Sequence, residues 1–165
     1  MWRKVGESGG TVKLKTTMFR GNSFHNLDDK GRIIVPARFR EVLNQSSIDG
    51  IMASKMDGAV VCYNFEQWHK IENRILSLAV KSENMRRFRR IFIGGAFECL
   101  LDKQGRILIP PALREHTHLA KEIVLVGVLD HFEIWSRENW IEEDAKLQKD
   151  LKDEEIRNEI AVLGL

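Results

Sequence analysis

The sequence predicts a mixed α+β fold in which two equivalent units follow each other along the chain. Three observations carry that expectation: a 14-residue stretch that occurs twice, a short β-branched run within each copy, and capped helical stripes that close each unit. Internal repeats are sought first because they fix the architecture. The first copy reads Leu27-Asp28-Asp29-Lys30-Gly31-Arg32-Ile33-Ile34-Val35-Pro36-Ala37-Arg38-Phe39-Arg40. The second reads Leu101-Asp102-Lys103-Gln104-Gly105-Arg106-Ile107-Leu108-Ile109-Pro110-Pro111-Ala112-Leu113-Arg114. Asp28, Gly31, Arg32, Pro36 and Arg40 match Asp102, Gly105, Arg106, Pro110 and Arg114 at a constant offset.

Within a copy, Asp-x-x-Gly between apolar runs suits a tight hairpin turn. Asp28 and Asp102 can each accept a bond from the amide two residues on, and Gly31 and Gly105 can take the positive φ of a bulged closure. Ile33-Ile34-Val35 and Ile107-Leu108-Ile109 are continuous apolar runs, which predicts short strands buried on both faces. Pro36 and Pro110 stop those strands and pre-set φ for a first helical turn, with short helices through Arg40 and Arg114.

The remaining elements follow in order. Residues 1–17 contain Gly6, Ser8, Gly9 and Gly10 without clean periodicity and read as a flexible arm, or as a start assigned upstream of Met18. Phe19 to Leu27 is expected to be the first strand. Ile51–Ser54 and Ala59–Tyr63 pair around Met56-Asp57-Gly58. Asn64 caps a helix with Phe65, Trp68, Ile71, Ile75 and Leu78 on one stripe. Ile123–Gly127 and Phe132–Trp135 pair around Leu129-Asp130-His131, and Ser136 caps a helix containing Trp140 and Ile141. Between the copies lies a basic connector in which Met85, Phe88 and Ile91 rest on the core while arginines stay wet. Asp150 to Leu163 reads as one acidic amphipathic helix. The domain division expected is therefore 1–17 arm, 18–80 first unit, 81–95 connector, 96–143 second unit and 144–165 tail.

Composition narrows the function classes. The chain has 165 residues, 43% apolar and 30% charged, and no apolar run near the ~20 residues of a membrane span. No signal-peptide pattern is visible, so a cytoplasmic protein is expected. Cys62 and Cys99 lack ligand spacing and read as buried free thiols. The formal charge of +2 conceals a split: Glu138 to Leu165 carries −5 and the other 137 residues +7. One part of the molecule is therefore suited to an anion and the tail is not.

Arg32 and Arg106 are the foremost binding candidates. Each follows a turn glycine, from which a guanidinium can grip a phosphate or a guanine edge with two bonds. Equally, each could pair with its own Asp28 or Asp102, and the two roles are compatible. Lys30 and Lys103 sit inside the turns, and Arg38, Arg40 and Arg114 follow the prolines. Catalytic readings fare badly: His25, His69, His116, His118 and His131 are scattered and none recurs in the other copy. No metal site, phosphate loop, nucleophile elbow or cofactor motif is expected, and no small-molecule substrate. From the residues alone, an anion binder and a protein-interaction scaffold using strand edges and the acidic tail both stand.

Both Asp-x-x-x-Arg motifs (Asp28 to Arg32 and Asp102 to Arg106), the opening Met18-Phe19-Arg20-Gly21, and Leu125-Val126-Gly127 before Phe132-Glu133-Ile134-Trp135 resemble the MraZ family of bacterial transcriptional regulators. The resemblance spans Met18 to about Glu143. It implies tandem AbrB-like units, small swapped-hairpin β-barrels with short helices and a pseudo-two-fold axis, assembled into a homo-oligomeric ring such as an octamer or dodecamer. It implies binding of double-stranded DNA at short direct repeats, repression of the protein's own division and cell-wall operon, and a nucleoid-associated, non-enzymatic role. The resemblance implies that the turns are the DNA-contacting loops, a role that carries over to Arg32 and Arg106, then to Lys30 and Lys103. Arg38, on the short helix after Pro36, is a further DNA-binding candidate read from its position alone. Asp28, Gly31, Asp102 and Gly105 shape the turns.

Overall fold

The repeated sequence produces a repeated order of elements. In the first unit these are β1 (Asn22–Asn26), β2 (Arg32–Ile34), α1 (Ala37–Leu43), β3 (Gly50–Met56), β4 (Ala59–Tyr63), α2 (Phe65–Ser77) and α3 (Glu83–Gly94). The second unit repeats them as β5 (Phe97–Leu100), β6 (Arg106–Leu108), α4 (Pro111–His116), β7 (Glu122–Gly127), β8 (Phe132–Ser136), α5 (Arg137–Asp150) and α6 (Glu154–Ala161). The computed structural model describes residues 17–79 and 82–165. The expected N-terminal arm lies, but for residue 17, outside the described residues, as does Lys81 of the connector. Among the described residues no helix is long and apolar enough to cross a membrane.

Pairing interleaves the two units. Six strands form one antiparallel sheet in the order β1-β7-β8-β4-β3-β5, and β2 and β6 form a separate two-stranded ribbon. The leading strand of each unit thus pairs with the hairpin of the other: β1 with β7, and β5 with β3. Ile33 opposes Ile107 in the ribbon and Val61 opposes Glu133 in the sheet. In each case a residue faces its own repeat equivalent, so the pseudo-two-fold axis runs through both pairs. The mixed α+β class and the pseudo-symmetry agree with the sequence.

One apolar core fills the space between ribbon and sheet. Ile33, Val35, Ile107 and Ile109 meet Ile51, Leu125, Phe132 and Ile134, with Phe39 and Leu113 of the short helices between them. Phe19, Phe39 and Phe132 pack ring to ring at 5.2–5.4 Å, near the preferred aromatic spacing. The opposite face of the sheet is covered by helices. Trp68 of α2 stacks on Phe92 of α3 at 5.3 Å over Val61, and Trp140 of α5 meets Trp135 at 6.0 Å. The equivalence of Trp68 and Trp140 follows from equivalent caps: Asn64 accepts from Gln67 N–H and Ser136 from Asn139 N–H.

Several elements differ from expectation. Ile34 and Leu108 are 55% and 52% exposed, so the apolar runs are not buried on both faces. The ribbon is capped by core on one side alone, and the two-residue period turns every second side chain outward. β1 starts at Asn22 rather than Phe19, because Gly21 takes φ +82° and breaks the strand. Phe19 instead makes an isolated bridge to Leu129. Pro36 and Pro110 stand at the N-cap, with ψ of 146° and 142°, one residue before helical geometry begins. The connector is helical, and its buried residue is Phe92; Met85 and Ile91 are largely exposed. The tail is two helices, α5 running unbroken to Asp150 before Leu151 to Asp153 interrupt it. Cys62 and Cys99 are buried free thiols whose pKa values burial raises, to about 11 for Cys99.

Candidate nucleic-acid interface

The turn at Asp28 is held by hydrogen bonds that converge on one carboxylate. Asp28 Oδ1 accepts from the amides of Lys30 at 2.9 Å and Arg32 at 2.8 Å, and Oδ2 accepts from Arg32 Nε at 2.7 Å. The main chain closes the loop, Gly31 N–H donating to Asp28 O at 2.9 Å. Asp102 repeats every contact: Oδ1 accepts from Gln104 and Arg106 amides at 2.9 Å each, and Oδ2 from Arg106 Nε at 2.8 Å. Gly31 and Gly105 hold φ of +81° and +74°, the left-handed region a residue without Cβ enters at no steric cost. Amide donation from Arg32 and Arg106, helped by their side chains, lowers the pKa of Asp28 and Asp102. Both carboxylates therefore stay ionised, and each fixes its arginine through Nε. The terminal Nη groups make no further hydrogen bond among the described residues, and the two arginine side chains are 30% and 25% exposed.

The ribbon brings the two turns to one surface. Arg32 lies opposite Leu108 and Ile34 opposite Arg106, with Ile33 and Ile107 pointing into the core. Arg32, Ile34, Arg106 and Leu108 therefore share the outward face. Two residues of strand separate the arginines along the ribbon, roughly 7 Å at the usual rise. Lys30 and Lys103 are exposed on the turns but occupy different turn positions, since Lys30 is equivalent to Gln104 and Asp29 to Lys103. Arg38 stands elsewhere: its Nη2 donates to Ser23 Oγ at 3.3 Å beside β1, and its guanidinium lies 5.1 Å from the Phe39 ring centroid.

Arg40 and Arg114 have a role that the sequence did not disclose. A Cβ placed on Gly105 would collide with the Arg40 guanidinium, and one on Gly31 with that of Arg114. Each helical arginine of one unit therefore braces the turn of the other. Val35 N–H donates to Gly105 O at 3.0 Å and Ile109 N–H to Gly31 O at 2.9 Å, crossing between units in the same way. The recurrence of Arg40 and Arg114 at matching spacing was a usable signal; their target across the pseudo-symmetry axis was not legible. No group of three or more His, Cys, Asp or Glu side chains gathers in metal-binding geometry among the described residues.

The architecture is that of a tandem-repeat α+β protein with two arginine turns on one exposed ribbon. The family model for "MraZ protein, putative antitoxin-like" matches residues 18–91 and again 92–158. The chain is 57% identical over 148 residues to the transcriptional regulator MraZ of Desulforapulum autotrophicum, covering 90% of this chain and 100% of that protein. It is 50% identical over 149 residues to that of Desulfosudis oleivorans and 38% over 148 to that of a Thermoanaerobacter species, with the same shares covered. The chain belongs to the MraZ family, whose members are transcriptional regulators and not enzymes.

Proposed function

We propose that the protein is a cytoplasmic, nucleoid-associated DNA-binding regulator that represses its own division and cell-wall operon at short direct repeats. The observation that carries this reading is the pair of guanidiniums, each fixed by a turn carboxylate, on one outward ribbon face. A two-stranded ribbon fits the major groove of B-DNA, where an arginine can take guanine O6 and N7 together. Arg32 and Arg106 read bases; Lys30, Lys103 and Arg38 add phosphate contacts; Asp28, Gly31, Asp102 and Gly105 hold the turns in shape. Residues 18–80 and 96–143 are the two DNA-bearing units, with 1–17, 81–95 and 144–165 as arm, connector and tail.

Assembly supplies what a single chain lacks. The first turn carries Asp28 and Asp29 against Lys30 and Arg32, a formal balance of zero, and the second has a surplus of one. Binding strength must then come from several copies presenting turns to repeated sites, with effective concentration replacing individual affinity. A ring of eight or twelve copies is the assembly we propose, and β1 and β5, at the two open edges of the sheet, support self-association.

The test is a mobility-shift titration with DNA from upstream of the protein's own gene. Arg32→Ala and Arg106→Ala should each lose about 1–3 kcal/mol of discrimination, with the assembled mass and thermal midpoint little changed. Wild-type affinity should fall steeply between low and moderate salt. Salt-indifferent binding, or retention of full affinity by the double variant, would favour the interaction-scaffold reading.

A further inference from the structure

The second unit has a counterpart of α3. Asp153 caps α6 as Ser82 caps α3, and each helix follows the Trp-bearing helix of its unit after a short break. The two differ in what they cover. α3 is folded against β3, with Phe92 buried and Phe88 stacked on it at 5.1 Å. α6 buries no residue, and Val162, Leu163 and Leu165 just beyond it are 86%, 73% and 87% exposed. Ile156, Ile160 and Leu163 recur at spacings of four and three, the pattern of a face that another surface covers.

α3 leaves an apolar face open in turn. A groove of about 390 Å³ runs between α3 and the β3–β4 turn, floored by Phe88 and Phe92. Ile91 and Met56 on its sides are 54% and 36% exposed. Lys55, Arg87, His116 and Asp57 stand on its rim, with Arg87 paired to Glu83 at 3.2 Å. α3 also presents Arg89 and Arg90 to solvent, so that the helix carries four arginines against Glu83. Over Asp150–Glu159 the tail carries five acids and two bases. Apolar surface and charge are thus complementary between the two helices. Within one chain, α5 sets α6 apart from the sheet by its 14 residues, about 21 Å of helix. No residue of α6 lines the groove.

We infer that the groove between α3 and the β3–β4 turn receives the acidic amphipathic α6 of a second copy of this chain. The contact is head-to-tail: every copy offers one α6 and one groove, so the interaction propagates until a ring closes or a filament grows. The inference rests on the self-association proposed above and names the surface through which it occurs.

Variants of the full chain with one added cysteine test it, since the two native thiols are buried. Ile91→Cys and Val162→Cys, mixed and mildly oxidised, should give a disulfide-linked dimer on a non-reducing gel, while neither variant alone should. A chain ending at Asp150 should lose at least half of the assembled mass by light scattering. Three results would overturn the inference: cross-linking by Val162→Cys alone, a linkage within one chain of the Ile91→Cys/Val162→Cys double variant, or no cross-link together with full mass after truncation. The last would leave the assembly standing and remove only this contact. A wild-type chain that is monomeric at micromolar concentration would remove both.

Discussion

Gly31 and Gly105 are the residues at which backbone geometry, packing and binding meet. Each sits at positive φ, is buried, and lies under an arginine of the opposite unit. Alanine at either position forces a Cβ into the left-handed region and into that guanidinium. Gly31→Ala should therefore destabilise the fold by more than the ~1 kcal/mol that the conformation alone costs, read as a lowered thermal midpoint. DNA affinity should fall with it, because the carboxylate that fixes Arg32 is placed by the same turn. A Gly31→Ala chain with unchanged melting and unchanged affinity would show that the brace between units does not matter. The turn carboxylates have an acid limit with a definite sign. Their folded pKa values are lowered, so their contribution is full above the ordinary carboxylate range and vanishes as pH falls through the lowered values.

At the scale of elements, α3 is held by its packing and by one buried hydrogen bond. Ser54 Oγ, fully buried on β3, donates to Phe92 O at 2.6 Å. Ser54→Ala should cost about 1–3 kcal/mol by leaving that carbonyl unpaired, and should release the helix before the sheet melts, seen as early loss of protection in hydrogen exchange. The β7–β8 turn depends on pH. His131 Nδ1 lies 2.7 Å from Asp130 Oδ1, Nε2 lies 3.1 Å from Glu133 Oε1, and the ring stacks on Tyr63 at 4.7 Å. Burial opposes the imidazolium, but the bonds to Glu133 and Asp130 outweigh it and raise its pKa; Glu133, although burial opposes its charge, is lowered by His131 and Trp135. A raised histidine stabilises fully below its ordinary value of 6.5 and loses that contribution as pH rises through the folded value. The wild-type thermal midpoint should thus decline as pH rises from 6.5 through the raised value, and His131→Gln should flatten the decline. The turns, hairpins, caps and Trp-bearing helices were legible in the sequence because each is set by neighbours along the chain. What Ile34, Phe92 and Arg114 touch was not, because burial of Ile34 depends on whether a second layer covers the ribbon, and the partners of Phe92 and Arg114 come from distant strands and turns.

At the scale of the whole molecule, the interleaving of the units sets a condition on folding. In the first unit, β1, β2 and β3 each pair with a strand of the second: β7, β6 and β5. Residues 18–94 alone would leave those edges open and the core uncovered, so a folded monomer is not expected. A second copy of the same fragment can supply the missing strands, since the two units already stand in that relation. On the axis, Ile33 would meet Ile33 where it now meets Ile107, and Val61 would meet Val61 where it now meets Glu133. Both are apolar pairs that the core and the helix-covered face accept. The fragment should therefore fold as a homodimer whose thermal midpoint rises with concentration. Residues 96–165 face a different outcome, because Glu133 would then oppose Glu133 across the axis. Directly opposed like charges weaken a strand pair by about 0.2–1 kcal/mol, and each carboxylate there is already half-buried. The second fragment should thus dimerise more weakly than the first, and Glu133→Val should narrow the difference by improving its association. Circular dichroism with sedimentation over a range of concentrations reads all three species, and a stably folded monomer of either fragment would mean that the shared core is dispensable.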